Sequence, residues 1–386
     1  MVLFVEEEEE KVVIFPKELW SFQLTGQDDL LDSINQIVSN GRFPHCSLIT
    51  GVPGSGQLLF ALHISQLLLC HSDAKPCGTC SNCYKVAQMI HPDLHYTFPL
   101  HGANEISVNY YDSFRIAVKE NPYLNVQHWL SLSNKENKQG NITAKECHSI
   151  IERLSLKPYE SDKSILILWL PEFLGKESNI LLKLLEEPPG HSYILLVTED
   201  AKSILSTIIS RTQQFALKPL GEEMIAQKLS KSLNISYEKA MNYALVAEGN
   251  YSQAMQMVAE EHSNMLELTK GIFQKAYVSE PLAMMGVVEI VAQMGRDDQK
   301  YLFHFMSQIL SMSLRSQNGL LKNEAGTNEI MNYVHKLSTS IGLEEIGAIH
   351  ELIDDSIFGI QRNANMRILL LDFLIQLSKI LRKFKK

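Results

Sequence analysis

Positive charge is scarce in this chain: 35 Lys and Arg stand against 44 Asp and Glu, a formal net charge of −9 over 386 residues. A protein whose whole surface grips phosphate needs the opposite balance, so that class is excluded and only a local basic strip remains open. Long apolar runs are missing as well. Stretches such as residues 368–371 fall far short of the roughly 20 residues that span a bilayer. The first residues are acidic where a secretory leader would be basic. Residues 6–10 are all Glu, which reads as a solvated acidic tail over residues 1–16 of a cytoplasmic protein. Pro and Gly are few, at 13 and 20, and 45% of the residues are hydrophobic. That is the composition of a globular chain, long enough for two or three cores. No internal repeat is evident.

Cysteine is sparse, yet four of the six cysteines fall within fourteen residues: Cys70, Cys77, Cys80 and Cys83. In a reducing compartment such clustering favours metal over disulfides. These spacings can close around one tetrahedral zinc ion, with Gly78 relaxing the turn, although His71 or His91 could replace a thiolate. A redox dithiol and free cysteines are the competing readings. A closed four-ligand site leaves no position for a substrate, so the zinc would be structural. Cys46 and Cys147 stand apart and read as small buried hydrophobes.

Residues Gly51-Val52-Pro53-Gly54-Ser55-Gly56-Gln57-Leu58 lie between a short apolar run and a helical apolar pattern (Leu59, Leu62, Ile64, Leu67, Leu68). A phosphate loop occupies that kind of strand-to-helix turn. Two residues that carry its chemistry are absent. Lys should follow the last Gly to reach the outer phosphates, and Ser or Thr should come next to hold magnesium; Gln57 and Leu58 stand there instead. The spacing is not Gly-x-Gly-x-x-Gly either, which speaks against a dinucleotide-dependent oxidoreductase.

Periodicity places a helix over residues 28–40, stopped by Gly41, and a strand over 46–50. Further along it gives a short strand within 91–99, a helix over 112–119 and a loop over 134–141. Thr143-Ala144-Lys145-Glu146 has capping-box spacing for a helix through Leu154. Residues 164–170 and 193–197 are nearly all apolar, as in strands buried on both faces of a parallel sheet. Helices are expected over 179–185 and 203–210, and a last strand over 214–217. From residue 221 onward the pattern is helical, in a small block to about 259 and a larger bundle from about 265. Alternating strands and helices up to 217 give an α/β domain. Residues 100–140, rich in aromatics and weak in period, have no assigned role.

Several of these segments together resemble one family, the bacterial clamp-loader subunits of the AAA+ superfamily. The resemblance is carried by Gly41-Arg42-Phe43-Pro44-His45, the loop at 51–58, Cys-x2-Cys-x2-Cys with His91-Pro92-Asp93, and the string Asn179-Ile180-Leu181-Leu182-Lys183-Leu184-Leu185-Glu186-Glu187-Pro188-Pro189. Thr198, Ile208-Ile209-Ser210-Arg211 and, at the entry to the last helix, Arg362-Asn363-Ala364-Asn365 extend it. It implies an α/β AAA+ core (a parallel sheet with helices on both faces) over 17–217, with an inserted zinc module at about 70–95. An all-α lid over 218–260 and an all-α oligomerising collar over 261–386 would follow. The implied cofactor is Zn2+ on Cys70, Cys77, Cys80 and Cys83. The implied partners are gamma/tau and delta clamp-loader subunits, the sliding clamp, and primer-template DNA reached through the complex.

Within that family the chain is most similar to the delta-prime class, which holds a place in the assembly without hydrolysing ATP. The family's magnesium-binding acidic pair falls at Leu168 and Trp169, with Glu172 three positions beyond. Its lid arginine falls near Ser252, in a segment with no Arg. A triphosphate there would have only backbone amides and a helix dipole to offset its charge. No functional ATP binding is therefore expected at Gly51, Gly54, Gly56, Gln57 and Leu58. Arg211 stands where the family presents an arginine into a neighbour's ATP site, though Thr212 replaces the usual Cys. An active gamma/tau-like ATPase is opposed by Gln57, Leu58, Leu168 and Trp169; a zinc-dependent nucleic-acid-binding module is opposed by the acidic balance.

Overall fold

The computed structural model describes Trp20, Leu24 and residues 26–102, 104–132, 140–247, 249–259, 265–320, 329–362 and 364–382. The acidic tail expected over 1–16, most of the 134–141 loop and Asn363 lie outside these residues. The chain divides into two compact units, one reaching Met224 and including Gly249–Ser252, the other made of the remainder.

In the first unit, α1 (Asp28–Ser39) opens with Asp28 and Asp29 at its positive end and stops before Gly41, whose φ is +67°. Then come β1 (Cys46–Thr50), α2 (Gln57–Leu69), α3 (Ser81–Ala87), β2 (Leu94–Thr97), α4 (Tyr111–Glu120), α5 (Val126–Ser131) and α6 (Ala144–Ser155). β3 (Ser164–Trp169), α7 (Ser178–Glu186), β4 (Ser192–Val197), α8 (Ser206–Ile209) and β5 (Gln213–Ala216) complete it. The five strands lie in the order β2-β3-β4-β1-β5, every pair parallel.

Both sheet faces are covered, which is why the central strands read as unbroken apolar runs. Leu48, Leu166, Leu168, Ile194 and Leu196 share a core with Cys147, Ile150 and Leu154 of α6 and Leu181, Leu184 and Leu185 of α7. On the other face α2, whose residues are all buried, packs against β1, β3 and β4. Cys46 and Cys147 are buried among these side chains, and burial pushes both thiols up to about 12. This is the α/β core, a parallel sheet with helices on both faces, expected from the sequence.

Two expectations change. The helix expected over 203–210 is only α8, preceded by a 3-10 turn at Ala201–Ser203, because the Asp200 carboxylate caps that turn by accepting from Lys202 N–H. The capping box is half a box. Thr143 Oγ1 accepts from Glu146 N–H at 3.3 Å, but the Glu146 carboxylate turns into the protein. There it accepts from Thr97 Oγ1 (2.7 Å), Ser107 N–H (2.8 Å) and Arg153 Nη2 (2.8 Å).

That carboxylate begins the explanation of residues 100–132. They fold over the β2 side of the sheet around a cluster of rings. Phe98 stacks on Phe114 with centroids 4.1 Å apart, and Trp129 meets both edge-on at 4.9 and 5.2 Å while donating Nε1–H to Pro99 O. Such ring pairs add to the area term of burial.

Among the described residues no strand follows Ala216, and the elements run from the helix Glu222–Leu233 to the helix Met366–Arg382. The second unit has one apolar core that takes in Val246 and Met257 as well as Ile272, Phe303, Ile349 and Phe373. No helix among the described residues is long and apolar enough to cross a membrane.

Candidate functional site

The loop at 51–58 folds as a phosphate loop does, between β1 and the start of α2. Gly54 and Gly56 have φ of +73° and +97°, which side-chain-bearing residues rarely adopt. The polar side chains at the end of the loop bond to the loop itself. Gln57 is buried, and its Nε2 donates to the carbonyls of Gly51 (2.9 Å) and Val52 (2.8 Å). Ser55 Oγ–H also donates to Val52 O, and Leu58 is buried in the core. A neutral carboxamide bonded to the loop's own carbonyls brings no positive charge to an anion.

Space is the second obstacle. The cavity bounded by Gly54, Gly56, Gln57, Leu58, Pro122, Tyr123, Leu124, Trp169 and Glu199 holds about 10 Å³, room for no more than about one water. Tyr123 and Leu124 are buried there. A Cβ placed on Gly56 would meet the Tyr123 ring at 3.2 Å, so the ring lies against the loop where its backbone is most open. The 100–132 region thus delivers a short closing segment, Pro122 to Asn125.

The same segment holds the residues around the expected lid position. Asn125 Nδ2 donates to Ser252 Oγ at 3.0 Å, and the rings of Tyr123 and Tyr251 lie 4.8 Å apart. Tyr251 N–H donates to Gly54 O at 3.3 Å. A Cβ on Gly54 would sit 2.1 Å from Asn250 Oδ1, so this glycine is required by close approach as well as by φ.

At the strand ends the structure separates Leu168 and Trp169, where the family's acidic pair was expected to fall. Leu168 joins the core shared with α6 and α7, while Trp169 faces the cavity and packs on Phe114 with centroids 5.6 Å apart. Glu172 lies in the 3-10 turn Pro171–Glu177 and accepts from Thr198 Oγ1 (3.0 Å) and Glu199 N–H (3.3 Å). Burial raises its pKa. Burial, with the neighbouring Glu172 charge, lifts Glu199 to about 7. Carboxylates are therefore present near the loop, and that of Glu172 is bonded to the residues just past β4.

Arg211 lies just beyond α8, apart from this cavity. Its Nε donates to Glu186 Oε1 at 2.5 Å, and its Nη1 donates to Thr207 O (2.8 Å) and Ser210 Oγ (3.3 Å). The pair stays at the surface, with side-chain exposures of 31% for Arg211 and 47% for Glu186.

The four clustered cysteines come together. Their sulfurs all lie within 4.8 Å of one another, with separations of 3.6 Å for Cys70–Cys77, 3.9 Å for Cys77–Cys83 and 4.0 Å for Cys70–Cys80. A tetrahedral ion with Zn–S bonds of about 2.3 Å has S···S edges of about 3.8 Å, so the donor set fits zinc. Burial pushes the Cys77 thiol up, but hydrogen bonds from Thr79 and from Cys80 N–H outweigh it and hold the thiol at about 6. Burial raises Cys70 and Cys83. The two histidines weighed as ligands are not part of the cluster of four sulfurs; His71 Nε2 pairs with Asn82 Nδ2 (3.0 Å), and His91 Nδ1 accepts from Asp93 N–H (3.2 Å). Asp93 in turn accepts three backbone N–H groups, from Tyr159, Glu160 and Ser161, which sets the turn before β3.

The sequence profile of the family described as "DNA polymerase III, delta subunit" matches residues 26–221, just over half of the chain. The chain belongs to this family. It is a clamp-loader subunit of DNA polymerase III. Its relatives include DNA polymerase III subunit gamma of Buchnera aphidicola subsp. Baizongia pistaciae, 24% identical over 81% of this chain and 74% of that protein. Subunit tau of Escherichia coli K12 is 27% identical over 61% of this chain and 32% of that protein. Subunit delta' of Bacillus subtilis is 26% identical over 62% of each. The chain therefore spans about a third of the length of the tau relative and less than two thirds of the delta' relative.

Sequence reasoning missed Tyr123, Asn125 and Glu199 in this clamp-loader subunit. The Pro122-Tyr123 pair in an aromatic-rich stretch was the available signal, and it carries no spacing that ties it to a loop some seventy residues earlier.

Proposed function

We propose that this chain is the delta-prime-type subunit of its clamp loader, inert toward ATP, and that it supports ATP-dependent loading of the sliding clamp onto primed DNA within a hetro-oligomer of gamma/tau and delta subunits. The observation that carries this is the cavity of about 10 Å³ at the loop. A triphosphate needs far more room, and it needs cations that Gln57, Leu58 and Trp169 do not supply. The relatives' names include gamma and tau as well as delta', so names leave the choice open and the closed loop favours the inert reading.

In the same proposal Arg211 serves a neighbour. Its surface position at the end of α8 suits a guanidinium offered across an interface, where it would stabilise charge developing on the transferring phosphoryl. Cys70, Cys77, Cys80 and Cys83 hold a structural Zn2+. The helical residues 218–260 act as lid, and residues 261–386 as the oligomerising collar.

Titrating the purified chain with labelled ATP tests the central point. No saturable binding at micromolar nucleotide and no turnover are expected; micromolar affinity with turnover by the chain alone would overturn the reading. For the arginine, Arg211→Ala should assemble normally and depress the ATPase of the reconstituted complex by roughly a thousandfold at the sites it faces.

A further inference from the structure

The Arg211 guanidinium is held by four contacts within its own chain. Two come from the short segment it terminates, the carbonyl of Thr207 and the hydroxyl of Ser210, and both engage Nη1. The other two come from one distant carboxylate oxygen, Glu186 Oε1, which takes Nε–H and lies in ion-pair contact with Nη2. Glu186 is the last residue of α7, whose Leu181, Leu184 and Leu185 are seated in the core. The carboxylate is therefore mounted on a fixed support, 25 residues away in sequence from the group it grips.

An exposed ion pair of this kind contributes little to stability, because water screens it and two side chains must be ordered to form it. It does fix geometry. An arginine has several rotatable bonds, and a free one at the surface samples many positions. With Nε and Nη1 engaged, the guanidinium plane is set. Each terminal nitrogen carries two hydrogens, and Nη2 is the end without a hydrogen-bond acceptor fully its own.

We infer that Glu186 is a positioning residue for Arg211: it holds the guanidinium in one orientation so that the Nη2 end meets an anionic oxygen brought by another subunit. The inference rests on the proposal that Arg211 acts in trans, and it assigns the partner contact to a phosphate oxygen of a nucleotide bound next door. Ordering the side chain before the encounter removes an entropy cost from the step in which charge develops. A carboxylate suits the task because its one oxygen, Oε1, meets both Nε and Nη2 along one edge of the planar guanidinium and so fixes that plane, not a distance alone.

The experiment uses the complex reconstituted with ATP-hydrolysing gamma/tau-type subunits, clamp and primed DNA. Steady-state ATPase is measured for wild type, Glu186→Ala, Glu186→Gln, Arg211→Ala and the double variant Glu186→Ala/Arg211→Ala, with assembly and melting temperature checked for each. Glu186→Ala is expected to lower kcat roughly tenfold or more, as misplacement of a catalytic group does, with KM for ATP unchanged. Glu186→Gln keeps an acceptor for Nε–H and should recover most of the loss. The double variant should match Arg211→Ala. Wild-type kcat in Glu186→Ala, or a double variant well below Arg211→Ala, overturns the inference while leaving the trans arginine in place. Full activity in Arg211→Ala overturns both.

Discussion

Asn125 Nδ2 donates to Ser252 Oγ at 3.0 Å, so Ser252 is tied to the segment that closes the loop cavity. With the 4.8 Å contact between Tyr123 and Tyr251, this makes the closed loop a built arrangement. Side chains from two stretches far apart in sequence, 123–125 and 250–252, close on Gly54 and Gly56 of the loop.

It follows that restoring the loop's chemistry will not restore the site. Gln57→Lys with Leu58→Thr is expected to bind no ATP at micromolar nucleotide, because Tyr123 and Trp169 still fill the cavity. Tyr123→Ala should cost about 3 kcal/mol in denaturant unfolding, the usual loss for a buried aromatic ring. Saturable binding of labelled ATP by the loop double variant would show that charge, not space, closes the site.

Glu199 gives the region a pH dependence. Its carboxyl is lifted from 4.5 to about 7 by burial and then by the Glu172 charge. A raised acid contributes its stabilisation below about pH 4.5 and loses it as pH rises through 7. Glu199→Gln removes that loss. Relative to the variant, the wild-type protein should become less stable by on the order of 1–3 kcal/mol between pH 5 and pH 8, read by urea unfolding at both values. Parallel profiles would mean that the Glu199 carboxyl titrates normally.

The cysteine cluster should behave as a closed metal site. Metal analysis is expected to find zinc in the wild-type chain and little in Cys77→Ser, and a strong chelator should lower the melting temperature of the wild type. Because each coordinating thiol must be deprotonated to bind, the metal should be released as pH falls, read by metal analysis after dialysis at acid and neutral pH. A wild-type chain purified without metal at neutral pH would end the zinc assignment.

Legibility in the sequence followed the range of the forces involved. Strands β1, β3 and β4 could be read almost to the residue, because burial on both sheet faces writes a continuous apolar run. The cysteine site was readable because ligand spacing is local. What lay hidden depends on contacts between distant positions. Thr143 and Glu146 have capping-box spacing, yet nothing near them in sequence announces that the carboxylate is needed by Thr97, Ser107 and Arg153. Tyr123 looks like any loop aromatic until the fold sets it against Gly56. The Arg211 motif was visible, but its partner Glu186 sits in another motif, where it reads as the end of a helix.

The Glu146–Arg153 pair carries the last prediction. Glu146 is almost wholly buried, and Arg153 also donates to Tyr96 O and to Thr97 Oγ1. Removing one partner of a buried pair leaves the other charge uncompensated, which costs about 3–5 kcal/mol, whereas replacing both with apolar groups can be nearly neutral. Glu146→Ala should therefore destabilise the chain by about that amount, and Glu146→Leu with Arg153→Met should recover much of it. The loss should also loosen residues 100–132, since Ser107 N–H loses its acceptor. Hydrogen exchange in that region, compared between the single and double variants, would separate the two effects. Protection regained in the double variant would assign it to packing; protection lost in both would assign it to the Ser107 bond.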